Sequence, residues 1–449
     1  MTDRFFLFIG STTADAAVSH LKASGIFYRQ KKLESNPPNW RAIVDLIEDQ
    51  SLIGAVVKLT AENYGTLLQA PFGEVSGDFL AALSDVKHIV FVHESVLTGA
   101  EPPASPAFDV YDDEDDTYYR YLADHYFRPP REDVRLTVNQ LLEDRNINVV
   151  PYRTNAELSV LAARFVEDNE TNLLFRMYVP NGRIYAAEAD KLLSLFREWL
   201  TQVKKQRVRQ DGYRTGSGQI YEFFGDDDTT TEELATQFDD FSRFLELCVD
   251  EPGRAEEQLV SMGVASLAAA DIVGRYGKNT RRLHLDLRHA REARVLSIRQ
   301  QLESELIDVV PSGHPGWVDV DRMIQDAVPG SVDIGVALSP VSTSIGPANI
   351  TINQQIIETV QGTVIQGMQG TLNLGPEANE LLDAIRLYGG AQVAELESAL
   401  YELEDVDAKA VDRLGARQRL KGFLINVGDK LEDSAATLLQ RYVESKLGV

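Results

Sequence analysis

The chain of 449 residues contains a single cysteine, Cys248, so no disulfide can form within it. Its cysteine usage therefore gives no sign of an oxidising compartment. No apolar run reaches the roughly 18 residues that span a bilayer, and the apolar N-terminal stretch is too short for a signal peptide. These absences predict a cytoplasmic protein with no membrane contact.

Positive charge is also scarce. There are 44 lysines and arginines against 69 acidic residues, which gives a formal net charge of -25. Such a surface repels phosphate backbones and anionic lipids, so nucleic acid is disfavoured as a whole-surface partner. The acidic excess is typical of a soluble protein before it indicates any specific partner.

The motifs of several enzyme classes are missing. The 7 histidines include no HExxH pair and no partner CxxC, so we predict no metal site. The acidic run 109–116 lacks the ligand spacing of an EF-hand and is predicted to be a solvated loop. There is no GxSxG, no GxGxxG and no Walker lysine, so a serine hydrolase, a dinucleotide fingerprint and a P-loop are unsupported.

What the sequence does contain is an alternation of strands and helices over its first part. An apolar run at 4–9, a helix ending at Gly25, and further strands near 52–59 and 88–92 indicate βαβ units and a mainly parallel sheet. We predict an α/β Rossmann-like domain over 1–169.

The rest of the chain shows a different pattern of predicted strands and helices. Residues 170–310 combine a few strands with long helical patterns, including a predicted helix over 188–209, and indicate an α+β or mainly helical middle domain. Residues 311–375 read as a linker and a β-rich assembly segment with short Gly/Gln-rich strands. Residues 376–449 are predicted to form a helical module.

Two loops of the first domain are candidates for a ligand cleft, because ligands of open parallel sheets bind beyond the carboxyl ends of the strands. The predicted ligand-binding residues follow the first strand: Gly10, Ser11, Thr12 and Thr13. Backbone N–H groups beside hydroxyls suit a phosphate or ribose, so a nucleotide is the ligand that would fit, although no cofactor is predicted. Plain turn and capping chemistry is the alternative interpretation.

After the fourth strand come His93 and Glu94, which are the catalytic candidates if the protein is an enzyme. A histidine beside a carboxylate can act as general acid or base, or bind a sugar hydroxyl.

One basic stretch stands out against the acidic background. Its predicted partner-binding residues are Arg281, Arg282, Arg288 and Arg291. Cations in a helix favour a phosphate-rich or acidic partner, including the acidic face of another copy. The alternative is a solvated helix face with i,i+4 ion pairs.

The segment 349–376 contains Ile350-Thr351-Ile352-Asn353 and repeated apolar-Gln-Gly triplets such as Ile365-Gln366-Gly367. It resembles segments of bacterial conflict (antiphage-type) proteins that join a sensor or effector part to a helical module. The first domain is similar to their Rossmann-like domains, including TIR-like ones. That resemblance implies a catalytic glutamate beside a nucleotide cleft. Glu94 is the residue nominated for it, but its surroundings differ from the TIR-like pattern, so the activity is not carried over.

Three hypotheses follow. The first is a non-catalytic, self-associating sensor or scaffold protein of a bacterial regulatory or antiphage defence pathway, with a homo-oligomer formed through 348–449 and with room for another protein partner. The second is a nucleotide- or NAD-processing enzyme that uses the N-terminal α/β cleft. The third is a nucleic-acid-binding protein that uses the stretch from Arg281 to Arg299.

Overall fold

The computed structural model describes residues 4–10, 12, 14–100, 127–226, 229, 231–307, 316–329, 368, 374–431 and 433–446. Ser11, Thr13, the acidic run 109–116 and nearly all of the Gly/Gln-rich segment lie outside the described residues. The chain divides into two compact units: Met1–Thr171 with Lys409–Val449, and Asn172–Ala408. The predicted fold class is confirmed by the described residues: an N-terminal parallel sheet, a second small sheet and a mostly helical remainder.

The first unit is built on a five-stranded sheet with the order β2-β1-β3-β4-β5. The strands are β1 (Phe5–Ile9), β2 (Phe27–Lys31), β3 (Leu52–Leu59), β4 (His88–His93) and β5 (Val149–Tyr152), and all neighbours are parallel. Every residue of β1 is buried, which explains its uninterrupted apolar sequence. The chain reverses its direction of winding between β1 and β3, where doubly wound sheets place their ligands.

Helices cover both faces of this sheet. They are α1 (Asp15–Ser24), α2 (Pro37–Ile47), α3 (Ala61–Leu68), α4 (Gly73–Ser84), α5 (Glu94–Thr98), α6 (Glu132–Asp144) and α7 (Asn155–Glu170). On one face, Trp40 of α2 and Phe79 of α4 pack in the same cluster as Leu7. On the other, Leu21 of α1 and Leu158 of α7 pack in the cluster of Phe8. Alternate β1 side chains therefore enter two separate cores.

The second unit combines a small antiparallel sheet with seven described helices. Strands β6 (Leu173–Pro180), β7 (Arg209–Arg214) and β8 (Gly218–Phe224) have the order β6-β8-β7. The helices are α8 (Ala186–Gln202), α9 (Thr231–Asp250), α10 (Pro252–Ser261), α11 (Ser266–Glu305), α12 (Gly316–Ala327), α13 (Pro376–Tyr388) and α14 (Val393–Glu404). Aromatic side chains such as Trp199, Phe241 and Tyr276 fill the core.

Buried charges tie α14 to the sheet of the second unit. Arg176 on β6 pairs with Glu222 on β8 at 3.1 Å and with Glu402 on α14 at 2.6 Å. The fully buried Asp405 accepts a hydrogen bond from the Tyr178 hydroxyl at 2.7 Å. Each buried charge has an opposite charge or a donor, as burial in a low dielectric requires.

The last two described helices, α15 (Ala410–Val427) and α16 (Asp433–Ser445), belong to the first unit. Helix α15 packs on β5 and on α7. Thus residues 376–408 lie in the second compact unit, whereas 409–449 join the α/β sheet that lies far away in sequence. No described helix combines the length and apolar character needed to cross a membrane.

Candidate functional site

The carboxyl edge of the parallel sheet gathers polar side chains from three strands and a glycine turn from a fourth. Gly10 follows β1, Lys58 lies near the end of β3, His93 ends β4, and Tyr152 ends β5. Gly10 lies at the β1–β3 reversal, whereas the Lys58 side chain extends towards the end of β5.

At the reversal the backbone of Gly10 passes very close to β3. Its φ is +85°, and a Cβ at this position would lie 2.4 Å from the carbonyl oxygen of Lys58. The Gly10 N–H donates to the carbonyl of Lys31 at 2.8 Å, and the Thr12 N–H donates to the carbonyl of Gly10 at 2.9 Å. Glycine is required here, because any side chain would meet the neighbouring strand.

Lys58 is the residue that sequence reasoning missed. Its side chain lies within a strand and is 5% exposed. Burial lowers the pKa of the ammonium group to about 8, and the Glu34 carboxylate only partly offsets that effect. Its Nζ lies 5.5 Å from the centre of the Tyr152 ring, while Oε1 of Glu34 is buried and accepts no hydrogen bond. A buried lysine with a lowered pKa at a strand end is a candidate binding group.

We expect the pKa of Lys58 to appear in the pH dependence of stability. An unfolded lysine titrates near 10.4, so between about pH 8 and 10.4 the unfolded state binds more protons than the folded state. The free energy of unfolding should therefore rise with pH across that window, by on the order of 3 kcal/mol. Urea unfolding at a series of pH values measures the slope.

In that series Lys58→Met should abolish the rise, because methionine carries no group that titrates in this range. The exposed Lys22 on α1 supplies a control, since Lys22→Met should leave the slope unchanged. An unaltered slope in Lys58→Met would contradict the assignment.

His93 is held through both ring nitrogens. Nδ1 is hydrogen-bonded with the Ser95 hydroxyl at 2.7 Å, and Nε2 with the carbonyl of Arg153 at 3.2 Å. The Ser95 hydroxyl donates onward to the carbonyl of Phe127 at 2.5 Å. Burial lowers the pKa of His93, with the backbone bond to Arg153 acting in the opposite direction. Nδ1 also accepts a hydrogen bond from the Ser95 N–H at 3.3 Å, so the imidazole serves as an N-terminal cap of α5, while Nε2 links β4 to the residue that follows β5.

Both carboxylate oxygens of Glu94 are also hydrogen-bonded. Its carboxylate accepts from Arg153 Nε at 2.5 Å and from the Nζ of Lys421, which is itself buried. Arg153 and Lys421 both also contact the carboxylate of Glu444, Lys421 at 3.6 Å. Each of the two carboxylates thus contacts both cations. Because Glu94 begins α5, Arg153 follows β5, Lys421 lies on α15 and Glu444 on α16, this network joins the C-terminal helices to the carboxyl edge of β4 and β5.

A second ion pair reinforces this junction one turn away. Glu157 on α7 accepts from Arg417 at 2.5 Å and from the Arg153 N–H at 2.9 Å. Burial raises the pKa of Glu157, but these two donors, with Lys421 nearby, outweigh it and leave the pKa below its ordinary value. Arg417 and Lys421 lie four residues apart on one face of α15. This i,i+4 spacing is visible in the sequence, but it does not identify Glu157 and Glu94 as the partners of the two cations.

The predicted site residues are therefore only partly brought together. Gly10 and Thr12 lie at the β1–β3 end of the carboxyl edge, and His93 and Glu94 lie at its β4 end, next to the C-terminal helices. On α11, Arg281, Arg282 and Arg288 are exposed. Arg291 instead donates to the carbonyls of Gln325 and Val328 at the end of α12, at 2.8 and 3.3 Å. It therefore holds two helices of the second unit together.

The described residues contain no cluster of three or more His, Cys, Asp or Glu side chains able to hold a metal ion. Comparisons with family models, curated proteins and solved structures gave no match to this chain.

Proposed function

We propose that this chain is a non-catalytic, self-associating sensor or scaffold protein whose α/β domain binds a small phosphate-bearing ligand at the β1–β3 reversal. The observation that carries the proposal is the pairing of the Glu94 carboxylate with two cations. These are Lys421 and Arg153, both from the same compact unit.

This observation favours a non-catalytic role, because a general base must reach the proton of its substrate. Glu94 has a side chain 12% exposed and gives one oxygen to each of two cations. Both nitrogens of His93 are in hydrogen bonds. Glu94 thus holds α15 through Lys421, and His93 caps α5, so neither side chain is left open to a ligand.

The case for an anionic ligand rests on Lys58 and on the loop after β1. A buried ammonium group gains from an anion, because the anion replaces part of the hydration that the charge lost on folding. Gly10, with its φ of +85°, lets the loop after β1 turn across the end of β3 next to Lys58.

Self-association and pathway rest on the sequence. The low-charge segment 349–376 and its resemblance to antiphage-type proteins favour an assembling protein of a bacterial regulatory or defence pathway. The proposal assigns assembly to residues 348–449, of which helices α15 and α16 also pack within the first unit.

Thermal shift with pyrophosphate, ATP and NAD, beside HPLC for turnover, tests this function. At a concentration about 100-fold above its Kd, a ligand specific for the folded state should add about 2.7 kcal/mol and raise Tm by roughly 5 to 11 °C. Lys58→Met should lose the shift, and Lys22→Met should keep it. The absence of any shift in the wild type, with no turnover, would contradict ligand binding.

The enzyme hypothesis stays as a second candidate, because an ammonium group with a pKa of about 8 is partly neutral near physiological pH. It expects turnover of a nucleotide or NAD that Glu94→Gln or Lys58→Met abolishes while the protein stays folded. Such turnover would replace the non-catalytic proposal.

A further inference from the structure

One face of α11 carries three exposed arginines around an exposed leucine. Arg281, Arg282 and Arg288 are exposed, and within the described part of the chain they make no hydrogen bond or ion pair. Leu285 lies between them and is 47% exposed. Positions 281, 285 and 288 are four and three residues apart and so share one helix face, about 10 Å long.

The other arginines of this stretch contribute nothing to that face, because they are bound inside the second unit. Arg294 donates to the carbonyl of Gly182 at 2.6 Å, and Arg299 pairs with Glu303 and Asp321, each at 3.1 Å. Only part of the predicted basic stretch is therefore exposed for a partner. We call this part the basic face and define it as Arg281, Arg282, Leu285 and Arg288.

The first unit has a groove of complementary character between α2 and α4, with a volume of about 600 Å³. Four carboxylates line it, and no lysine or arginine does: Glu48, Asp49, Asp78 and Asp85. Its apolar lining includes Val44, Ile47 and Leu52. The groove therefore combines four carboxylates with an apolar lining that lies largely within the core, since Val44 and Ile47 are buried.

We infer that this acidic groove binds the basic face of α11 from a second copy of the chain. The three arginines would meet the carboxylates of the groove, and Leu285 would lie against its apolar lining. The inference rests on the self-association in the proposed function and places the main contact between copies on α11 and the groove, outside residues 348–449. Charge complementarity supports it: the chain carries -25 overall, so attraction between copies needs a local positive surface, and the basic face supplies one.

This interface is heterologous, because the surface each copy presents differs from the surface it meets. Such contacts build closed rings or open filaments rather than isologous dimers. Distant like charges are screened beyond about 8 Å at physiological salt, whereas contacting pairs are screened much less. Association should therefore persist near 0.15 M salt and weaken at roughly 1 M salt.

Sedimentation velocity of the full-length protein with charge-reversal variants tests the inference. Arg281→Glu with Arg282→Glu reverses the basic face, and Asp78→Arg with Asp85→Arg reverses the groove. Each double variant alone should associate at least about 100-fold more weakly than wild type. An equimolar mixture should regain association, because each variant supplies the partner surface that the other needs. Unchanged Tm values would show that all variants remain folded, as expected for exposed sites.

Three outcomes would overturn the inference, and each differs from the others. If both variants associate like wild type, assembly uses another surface while the proposed function survives. If wild type stays monomeric up to about 100 μM, both this inference and self-association fail. If the basic-face variant alone loses binding to a fluorescent duplex DNA at 50 mM salt while self-association is unchanged, the face is a nucleic-acid site instead.

Discussion

Lys421→Met should lower the free energy of unfolding of the first unit by about 3 kcal/mol, because it leaves the Glu94 carboxylate with one cation in a mostly buried site. Loss of one member of a buried ion pair costs about 3–5 kcal/mol, and we expect the low end because Arg153 still binds Glu94. Thermal unfolding should show a fall in Tm of roughly 6 to 12 °C for a unit of this size. Hydrogen exchange should rise in α15, α16 and β5 before it rises in β1 and β3.

Arg441, exposed on α16, gives the matched control. Arg441→Met should change stability by no more than about 0.5 kcal/mol. Combining Lys421→Met with Glu94→Gln should cost less than the sum of the single changes, because removing both charges leaves neither one stranded. Equal losses in Lys421→Met and Arg441→Met would show that the network contributes little and would weaken the argument for a non-catalytic Glu94.

Gly10→Ala should destabilise the first unit by about 2–4 kcal/mol and abolish ligand binding at the β1–β3 reversal. Part of the cost is the positive φ of +85°, and part is the 2.4 Å approach of the new Cβ to the Lys58 carbonyl. Because that carbonyl belongs to a central strand, it cannot move without disturbing the hydrogen bonds of the sheet. Urea unfolding measures the loss, and the thermal shift with pyrophosphate or ATP measures binding.

Gly25→Ala separates the two contributions. Gly25 has a similar φ of +71° at the end of α1, but a Cβ there would meet nothing within 4 Å. This variant should therefore cost only about 1 kcal/mol and leave ligand binding intact. If Gly10→Ala cost no more than Gly25→Ala, the close approach of β1 and β3 would not be what requires glycine at residue 10.

Local sequence patterns predicted elements well where one segment decides its own structure. The apolar run at 4–9 became β1, buried on both faces, and the helix predicted to end at Gly25 is α1, whose C-cap is Gly25 with a φ of +71°. The predicted helix over 188–209 was too long: α8 ends at Gln202, and Arg209–Arg214 is strand β7. Pairing with β8 overrode the helical pattern there. At Gly212 a Cβ would lie 2.0 Å from the carbonyl of Ile220, a contact that only the sheet creates.

The sequence by itself determined the fold class, the acidic surface and the place of the candidate edge, since periodicity and composition are local properties. Only the tertiary structure decided what the edge residues do. Lys58 has a lowered pKa because the fold buries it. The negative charge of Glu94 is paired with the ammonium group of Lys421, which lies 327 positions away in sequence. Burial and pairing are properties of three-dimensional neighbours, so no reading of the residues around Glu94 alone could have shown that the C-terminal helices hold it.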